Sequence, residues 1–294
     1  MGTNALLVNT ASGGTAVGYG SLAANTTATD NVAVGYNSLT ACTTSGANVA
    51  IGAYAGDSVT TGDARLVAIG FRACEDTVTA VANTGVGQYA LQNAVEGYNV
   101  GMGAYAGDKI TTGQTNVCIG YGADTSASGS NNQIAMGGSV NGNADNSLCF
   151  GAGTTDSAIA FGATSITAPS DIRLKEDIQD EVVGLDFINE LRPVTFRWKK
   201  EKDVPEDMVA HGQGSEERVM NGKYNHGFVA QEVKEVIDNT PDLKEGFDMW
   251  TEDDVDGRQR IGEGSLIPML VKSIQELSAE VEDLKKKAHD KCSN

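Results

Sequence analysis

Proline is absent from the first 168 residues of this 294-residue chain, and basic residues are nearly absent there too. Residues 1–169 hold 3 Lys/Arg and 10 Asp/Glu, and residues 170–294 hold 18 and 29, for a formal net charge of −18. Neither half offers a cationic surface, so a phosphate backbone is repelled and a nucleic-acid partner is not expected. The five cysteines (Cys42, Cys74, Cys118, Cys149, Cys292) are scattered, odd in number and free of CxxC pairs. That pattern gives neither a zinc site nor a disulfide framework. Cys118 and Cys149 fall at apolar repeat positions and read as buried thiols. No run of 18 apolar residues and no signal-peptide core occurs, so membrane insertion is not expected. Aromatic residues make up only 6%. No pair of sugar-cleaving carboxylates can be singled out, no phosphate-binding loop appears, and no cofactor or metal is expected.

What the first half does have is glycine and repetition. Residues 1–169 carry 27 of the 36 glycines. One phrase, close to N-V-A-I-G-x-x-A, returns as TAVGYGSLA (15–23), NVAVGYNSL (31–39), NVAIGAYAG (48–56), RLVAIGFRA (65–73), NTGVGQYAL (83–91), NVGMGAYAG (99–107), NVCIGYGA (116–123) and NQIAMGGS (132–139). Two degenerate copies follow, SLCFGAG (147–153) and AIAFGAT (158–164). The motif glycines from Gly18 to Gly137 are 17, 17, 18, 17, 16, 17 and 17 residues apart, after which the spacing falls to 14 and 11. A fixed period over eight copies is the signature of a solenoid. Val or Ile alternating with small residues gives strand periodicity, and the period leaves room for two short strands and two turns per coil. The motif glycine allows a positive-φ corner or a close backbone approach. The intervening TTATD, TTSGA and TTGDA stretches are turn material. So thin a coil buries little by itself, so its apolar strip is expected to face other coils, in its own and partner chains. The repeats resemble the head repeats of trimeric adhesins, left-handed parallel β-rolls in which three chains pack side by side.

After Ser170 the phrase vanishes. DEVVGLDFINELRP (180–193) places Val182, Val183, Leu185, Phe187, Ile188 and Leu191 on a helical stripe stopped by Pro193. VTFRWKK (194–200) alternates like a strand, and Glu201 to Lys223 reads as an excursion loop. YNHGFVAQEVKEVI (224–237) reads as a strand ending near Ala230 and then a helix. DMWTEDDVDGRQRIGEG (248–264) reads as a hairpin about Asp256–Gly257. At the end, Ile267, Ile274, Val281 and Ala288 occupy heptad a positions, and Leu270, Leu277 and Leu284 occupy d. Such a helix seeks partners, and isoleucine at a with leucine at d favours dimers in parallel coiled coils.

Three phrases, SDIRLKEDI (170–178), GFVAQEV (227–233) and IPMLVKSIQELSAEVEDL (267–284), together resemble the C-terminal intramolecular chaperone of phage endosialidases and tail fibres, a module also found in myelin regulatory factor. The resemblance implies an all-β, trimeric, left-handed parallel β-roll or solenoid, followed by an α+β chaperone domain ending in a coiled-coil helix. It implies a lead-in at 1–14, a fibre domain at 15–169, a chaperone and autoprotease domain at 170–266 and a trimerising helix at 267–294. The expected order is the trimer, against the dimer preference of the helix alone, because a short seam on a trimeric body does not choose its own order.

The implied activity is a single self-cleavage between Pro169 and Ser170, with Ser170 as nucleophile and Lys175 as general base. A hydroxyl needs a base within hydrogen-bond reach. Lys175 must shed its charge, through burial or a neighbouring cation. Arg173 either supplies that cation or positions an aspartate, and Asp171 is either support or structure. His226 reads as a packed histidine more readily than a catalytic one, and Gln231 and Glu232 are candidate contacts to the seam. His211 and His289 read as surface residues. The competing pattern for Ser170–Asp171 is a helix N-cap with Lys175 as a solvated charge.

The leading expectation is a phage tail-fibre or tailspike segment in the virion, assembled in the host cytoplasm and released by lysis. Its partners would be two further copies, other tail proteins and a host-surface receptor or glycan. The chain begins almost inside a repeat, so it is either a fragment of a longer fibre or is attached through another protein. A trimeric bacterial adhesin head and a glycan depolymerase are the alternatives.

Overall fold

The computed structural model describes residues 2–61, 65–78, 82–243 and 247–292. Residues 62–64, within the TTGDA stretch, lie outside them. The chain forms two compact units, Met1–Lys175 and Glu176–Asn294.

The first unit is a β-solenoid of about eight turns. Each copy of the phrase contributes one strand to a single sheet: β1 (Thr15–Val17), β2 (Val32–Val34), β3 (Val49–Ile51), β4 (Val67–Ile69), β5 (Thr84–Val86), β6 (Val100–Met102), β7 (Val117–Ile119) and β8 (Gln133–Met136). Neighbours pair in parallel with like positions in register, as in Ala33↔Ala50↔Ala68. The degenerate copies become β9 (Ser147–Ala152), parallel to β8, and β10 (Thr155–Ala160), which turns back antiparallel on β9 and ends the stack.

Two strands per coil were expected, but the coils contain one. The rest of each circuit is built from left-handed corners, many of them at residues other than glycine, such as Asn37 (φ 52°), Leu39 (φ 49°), Tyr54 (φ 60°) and Leu91 (φ 51°). Such corners turn the chain too sharply for a second extended run. The stack also reaches into the expected lead-in. Leu6 N–H donates to Ser21 at 3.1 Å and Thr10 N–H to Thr26 at 2.9 Å, the same contacts that later coils make one period on. A corner residue with a side chain costs about 1–2 kcal/mol relative to its right-handed form. Ala47 is exposed at φ 59° and holds its coil only through its N–H bond to Thr29. Ala47→Gly is therefore expected to stabilise the protein by about 0.5–1 kcal/mol, after glycine's greater unfolded entropy is subtracted, read as a higher denaturant midpoint.

Along each strand the middle residue points inward. It is small because the coil is narrow: Ala16, Ala33, Ala50, Ala68, Gly85, Gly101, Cys118, Ala135 and Cys149. Leu22, Leu39, Val59, Leu66, Leu91, Ile110 and Val140 fill the remaining interior. Cys42, Cys74, Cys118 and Cys149 are buried free thiols, and burial pushes Cys42 up to about 11 and Cys74 and Cys118 up to about 12, which leaves them inert. A ladder of buried amides runs beside this core. Asn31 accepts from Asn48 N–H, Asn48 from Leu66 N–H, Asn83 from Asn99 N–H, Asn99 from Asn116 N–H and Asn116 from Gln133 N–H, all at 2.9–3.0 Å. The flanking strand residues point outward, so Val17, Ile51, Met102, Met136 and Phe150 form an exposed apolar column. Next to the motif glycines runs a second column, Tyr19, Tyr36, Tyr54, Phe71, Tyr89, Tyr105 and Tyr121, with successive ring centroids 5.1–6.3 Å apart.

The second unit is a small α+β region ending in a long helix. It comprises α1 (Leu185–Glu190), β11 (Val194–Phe196) antiparallel to β12 (Asn225–Gly227), α2 (Ala230–Asp238), the hairpin β13 (Trp250–Glu252) and β14 (Gln259–Ile261), and α3 (Ile267–Cys292). Its core is Val183, Phe187, Leu191, Val233, Met249, Leu266 and Met269. The hairpin forms where Asp256–Gly257 places it, with Gly257 at φ 64°. α1 is shorter than its apolar stripe suggested, and Val182 is exposed. Gly184 sits at the start of α1, and the Glu276 carboxylate accepts the Leu185 N–H at 2.8 Å, so the helix begins there. α3 uses one face within its own unit, through Met269 and Ser273, with Leu266 buried just before its first residue. Its heptad residues Ile267, Leu270, Ile274, Leu277, Val281 and Leu284 are left exposed. Among the described residues no helix is long and apolar enough to cross a membrane.

Candidate active site

After β10 the chain is pinned once more to the solenoid. Thr167 exchanges both backbone hydrogen bonds with Ala158, at 2.7 and 2.8 Å, and its hydroxyl donates to the Ala158 carbonyl at 3.0 Å. Pro169 and Ser170 follow within three residues, so the candidate scissile bond starts from an anchored point. From there to Asp180 every residue is exposed.

The local fold of SDIRLK separates the roles that the sequence left mixed. Asp171, not Ser170, is the cap of a short 3-10 turn at Ile172–Leu174, its carboxylate accepting the Arg173 N–H at 2.9 Å. Leu174 N–H reaches Asp171 O at 3.0 Å and Lys175 N–H reaches Ile172 O at 3.2 Å, which closes the turn. Because the cap is taken by Asp171, the Ser170 hydroxyl is left outside the turn. Lys175 folds back over the turn, and its Nζ donates to Ser170 Oγ at 2.8 Å. The Arg173 guanidinium grips Asp171 through Nε at 3.0 and 3.1 Å and through its terminal nitrogen at 2.6 Å. That side-chain bond and the backbone bond hold the Asp171 carboxyl below its ordinary value. Arg173 is thus engaged with an aspartate.

Ser170, Asp171, Arg173 and Lys175 are brought together, all within the first compact unit. His226, Gln231 and Glu232 belong to the second. His226 is exposed on β12 rather than packed, because residues alternate across a two-stranded sheet and this one falls on the open face; its Nδ1 lies 3.4 Å from Thr195 Oγ1. Gln231 is exposed in the first turn of α2. Glu232 is gripped by Arg192 in a two-point ion pair. This bond lowers the Glu232 carboxyl and keeps it charged. Arg192 was not singled out from the sequence; 40 residues separate the pair, and only the fold brings them together. His211 is half-buried, with Nδ1 at 2.8 Å from Val204 O, and His289 is exposed.

The arrangement has the composition of a nucleophile and its base: a free hydroxyl, an amine at hydrogen-bond distance, and a carbonyl one bond upstream. Residues 170–240 match the family model described as chaperone of endosialidase. The match begins on Ser170 itself. No curated protein and no solved structure matches the chain. The family is associated with autoproteolytic intramolecular chaperones. With the β-solenoid, the match supports a tail-fibre-like protein that carries an endosialidase-type chaperone domain.

Proposed function

We propose that the chain is a segment of a trimeric phage tail fibre, whose region from Ser170 onward directs assembly and then releases itself by cleavage between Pro169 and Ser170. The observation that carries this reading is the 2.8 Å contact between Lys175 Nζ and Ser170 Oγ at the first residue of the matched domain.

The chemistry follows from connectivity. Neutral Lys175 accepts the Ser170 hydroxyl proton, and Oγ attacks the Pro169 carbonyl carbon. The Pro169–Ser170 C–N bond breaks, the Ser170 amine takes up the proton, and Pro169 is left as an ester on Oγ. Water then hydrolyses the ester, giving a carboxylate at Pro169 and a free amine at Ser170. The reaction is intramolecular and occurs once, so positioning replaces a substrate pocket. Lys175 must be uncharged to act, yet it is exposed in a single chain. Packing of neighbouring chains around the turn supplies the missing desolvation, and cleavage therefore waits for assembly.

Two open surfaces support association of several chains, which in this reading are three left-handed β-rolls. The solenoid carries exposed apolar and aromatic columns along its length, and α3 carries an unfilled heptad face. Three chains packed side by side bury both. A helix that gathers the chains first lowers the entropic cost of closing a slow-folding parallel sheet, and its removal traps the shaft behind a high unfolding barrier. Residues 1–169 would then remain in the virion as a shaft contacting a host receptor or glycan.

The test is intact mass and denaturing electrophoresis of the wild-type protein beside Ser170→Ala and Lys175→Ala. Wild type is expected to yield fragments 1–169 and 170–294, with both variants whole. A wild-type chain that assembles yet stays whole would make the domain a retained trimerisation cap and end the self-cleavage reading.

A further inference from the structure

We propose that Lys109 and Asn141 become joined by a side-chain amide bond, promoted by Asp124, which staples three successive coils of the solenoid together. The inference does not depend on self-cleavage or on the number of chains in the assembly.

The three residues come from the coils of β6, β7 and β8, and the stack holds them in register. Gly107 N–H donates to Ala123 O at 2.8 Å and Lys109 N–H to Asp124 Oδ2 at 3.2 Å. On the other side Asp124 N–H donates to Val140 O at 2.9 Å, and Gly142 N–H to Asp124 O at 2.8 Å. Asn141 is therefore fixed beside Asp124 by backbone bonds on both sides. Lys109 Nζ reaches across Asp124 to donate to Asn141 Oδ1 at 3.0 Å, and it lies 3.6 Å from Asp124 Oδ2. The amine is thus held against the oxygen of the amide whose carbon it would attack.

Asp124 is the unusual member. Its side chain is 2% exposed, in a coil that packs against neighbours on both sides. Burial, reinforced by the neighbouring Asp108 carboxyl and opposed by the Thr125 N–H and Lys109, pushes it up to about 6. A carboxyl in that range can hold and release a proton near neutrality, which is what a general acid–base group needs.

In the reaction, the Asp124 carboxylate takes a proton from the Lys109 ammonium, and the free amine attacks Asn141 Cγ. Asp124 hands that proton to Nδ2, the tetrahedral adduct loses its Cγ–Nδ2 bond, ammonia leaves, and the carboxylate takes up the second proton that the attacking nitrogen sheds in becoming an amide. An amine and a primary amide become a secondary amide and ammonia, with no oxidant or further reactant. Lys109 is 61% exposed and Asn141 is exposed, so ammonia can escape while the acid stays buried. The product ties together positions 32 residues apart at the end of the solenoid next to β9 and β10.

The full-length protein, aged at neutral pH and 37 °C, would be examined by intact mass and peptide mapping. The expected result is a chain lighter by one ammonia, with a branched peptide joining Lys109 to Asn141. Lys109→Arg and Asn141→Ala should both keep the full mass, and Asp124→Asn should block the loss while the far-ultraviolet spectrum stays native. Asn141–Gly142 can also lose ammonia by closing to a succinimide, and Lys109→Arg separates the two cases. Absence of the Lys109–Asn141 branched peptide from aged folded wild type, or ammonia loss at Asn141 that proceeds equally in Lys109→Arg, overturns the proposal. A cross-link that still forms in Asp124→Asn overturns the role given to Asp124.

Discussion

Gly70→Ala is expected to destabilise the solenoid by about 4 kcal/mol or more, a large share of the total stability of a folded domain and a large drop in its denaturant midpoint. Gly70 has φ 136°, a region that residues with a Cβ rarely adopt, and that alone costs about 1–3 kcal/mol. The second cost is contact. A Cβ built on Gly70 would lie 2.5 Å from the carbonyl oxygen of Gly87, the motif glycine one coil on, and 2.6 Å from its carbonyl carbon. The coils cannot spread to make room, because Gly70 N–H is bonded to Ile51 O at 2.8 Å and Gly87 N–H to Ile69 O at 2.7 Å. The same stacking recurs from Gly18 to Gly137, each glycine with the next glycine's carbonyl where its Cβ would go. Gly138→Ala is the control. That glycine is exposed, with no atom within 4 Å of the added Cβ, and its variant should unfold within about 0.5 kcal/mol of wild type. Denaturant unfolding followed by circular dichroism decides the matter. A Gly70→Ala midpoint close to that of Gly138→Ala would mean that the stack is looser than the glycine column implies.

That column was readable in the sequence because it is periodic. The glycine spacing located every parallel strand, and the alternation of Val or Ile with small residues marked them as extended, but of the inward-facing residues only Cys118 and Cys149 were named as buried. The corners were not readable. Leu39, Tyr54 and Leu91 sit at positive φ, where their residue types carry no turn signal, so the circuit was expected to hold a second strand. The opening residues carry no strand phrase, and the corners at Asn4 and Leu6 and the hydrogen bonds of Leu6 and Thr10 to the next coil come from the structure alone. At the candidate active site, Ser170 and Lys175 were named through the resemblance that the three phrases carry together; their spacing alone reads as a cap and a solvated charge. Which of Ser170 and Asp171 caps the turn was a matter of backbone geometry that either residue type could satisfy. Arg192–Glu232 and the Glu276 cap on α1 join distant segments, and no local pattern encodes them.

The second large effect is expected inside the amide ladder, where Asn116→Ala should destabilise the protein by about 3–5 kcal/mol. Asn116 is fully buried. Its Oδ1 accepts the Gln133 N–H at 2.9 Å, and its Nδ2 donates to Ser130 O at 2.7 Å and to Asn99 Oδ1 at 3.1 Å. Alanine removes all three bonds and restores none of them with water, since the ladder lies in the dry interior of the coil. Each buried polar group left without a partner costs about 1–3 kcal/mol, and the void adds to it. Asn116→Asp is the sharper probe. It keeps an acceptor for Gln133 but loses the donor, and sets a buried negative charge against the Ser130 carbonyl and Asn99 Oδ1. It should therefore be at least as damaging as alanine although it is nearly the same size. Equal stability of Asn116→Asp and wild type would show that the ladder only fills space. Leu66 shows the limit of the argument: it stands in the ladder position of the fourth coil, fully buried, and its N–H still takes the Asn48 carbonyl oxygen. The ladder can therefore end at an apolar residue, but within the run from Asn83 to Gln133 the inner members Asn99 and Asn116 each donate to the ladder residue before and accept from the one after. That reciprocity fixes the register of the coils, because slipping one coil by a residue would strand an amide in the interior. Under the proposed self-cleavage the shaft would outlast the domain that folds it, and the register it would then need is encoded in its own interior by the asparagines.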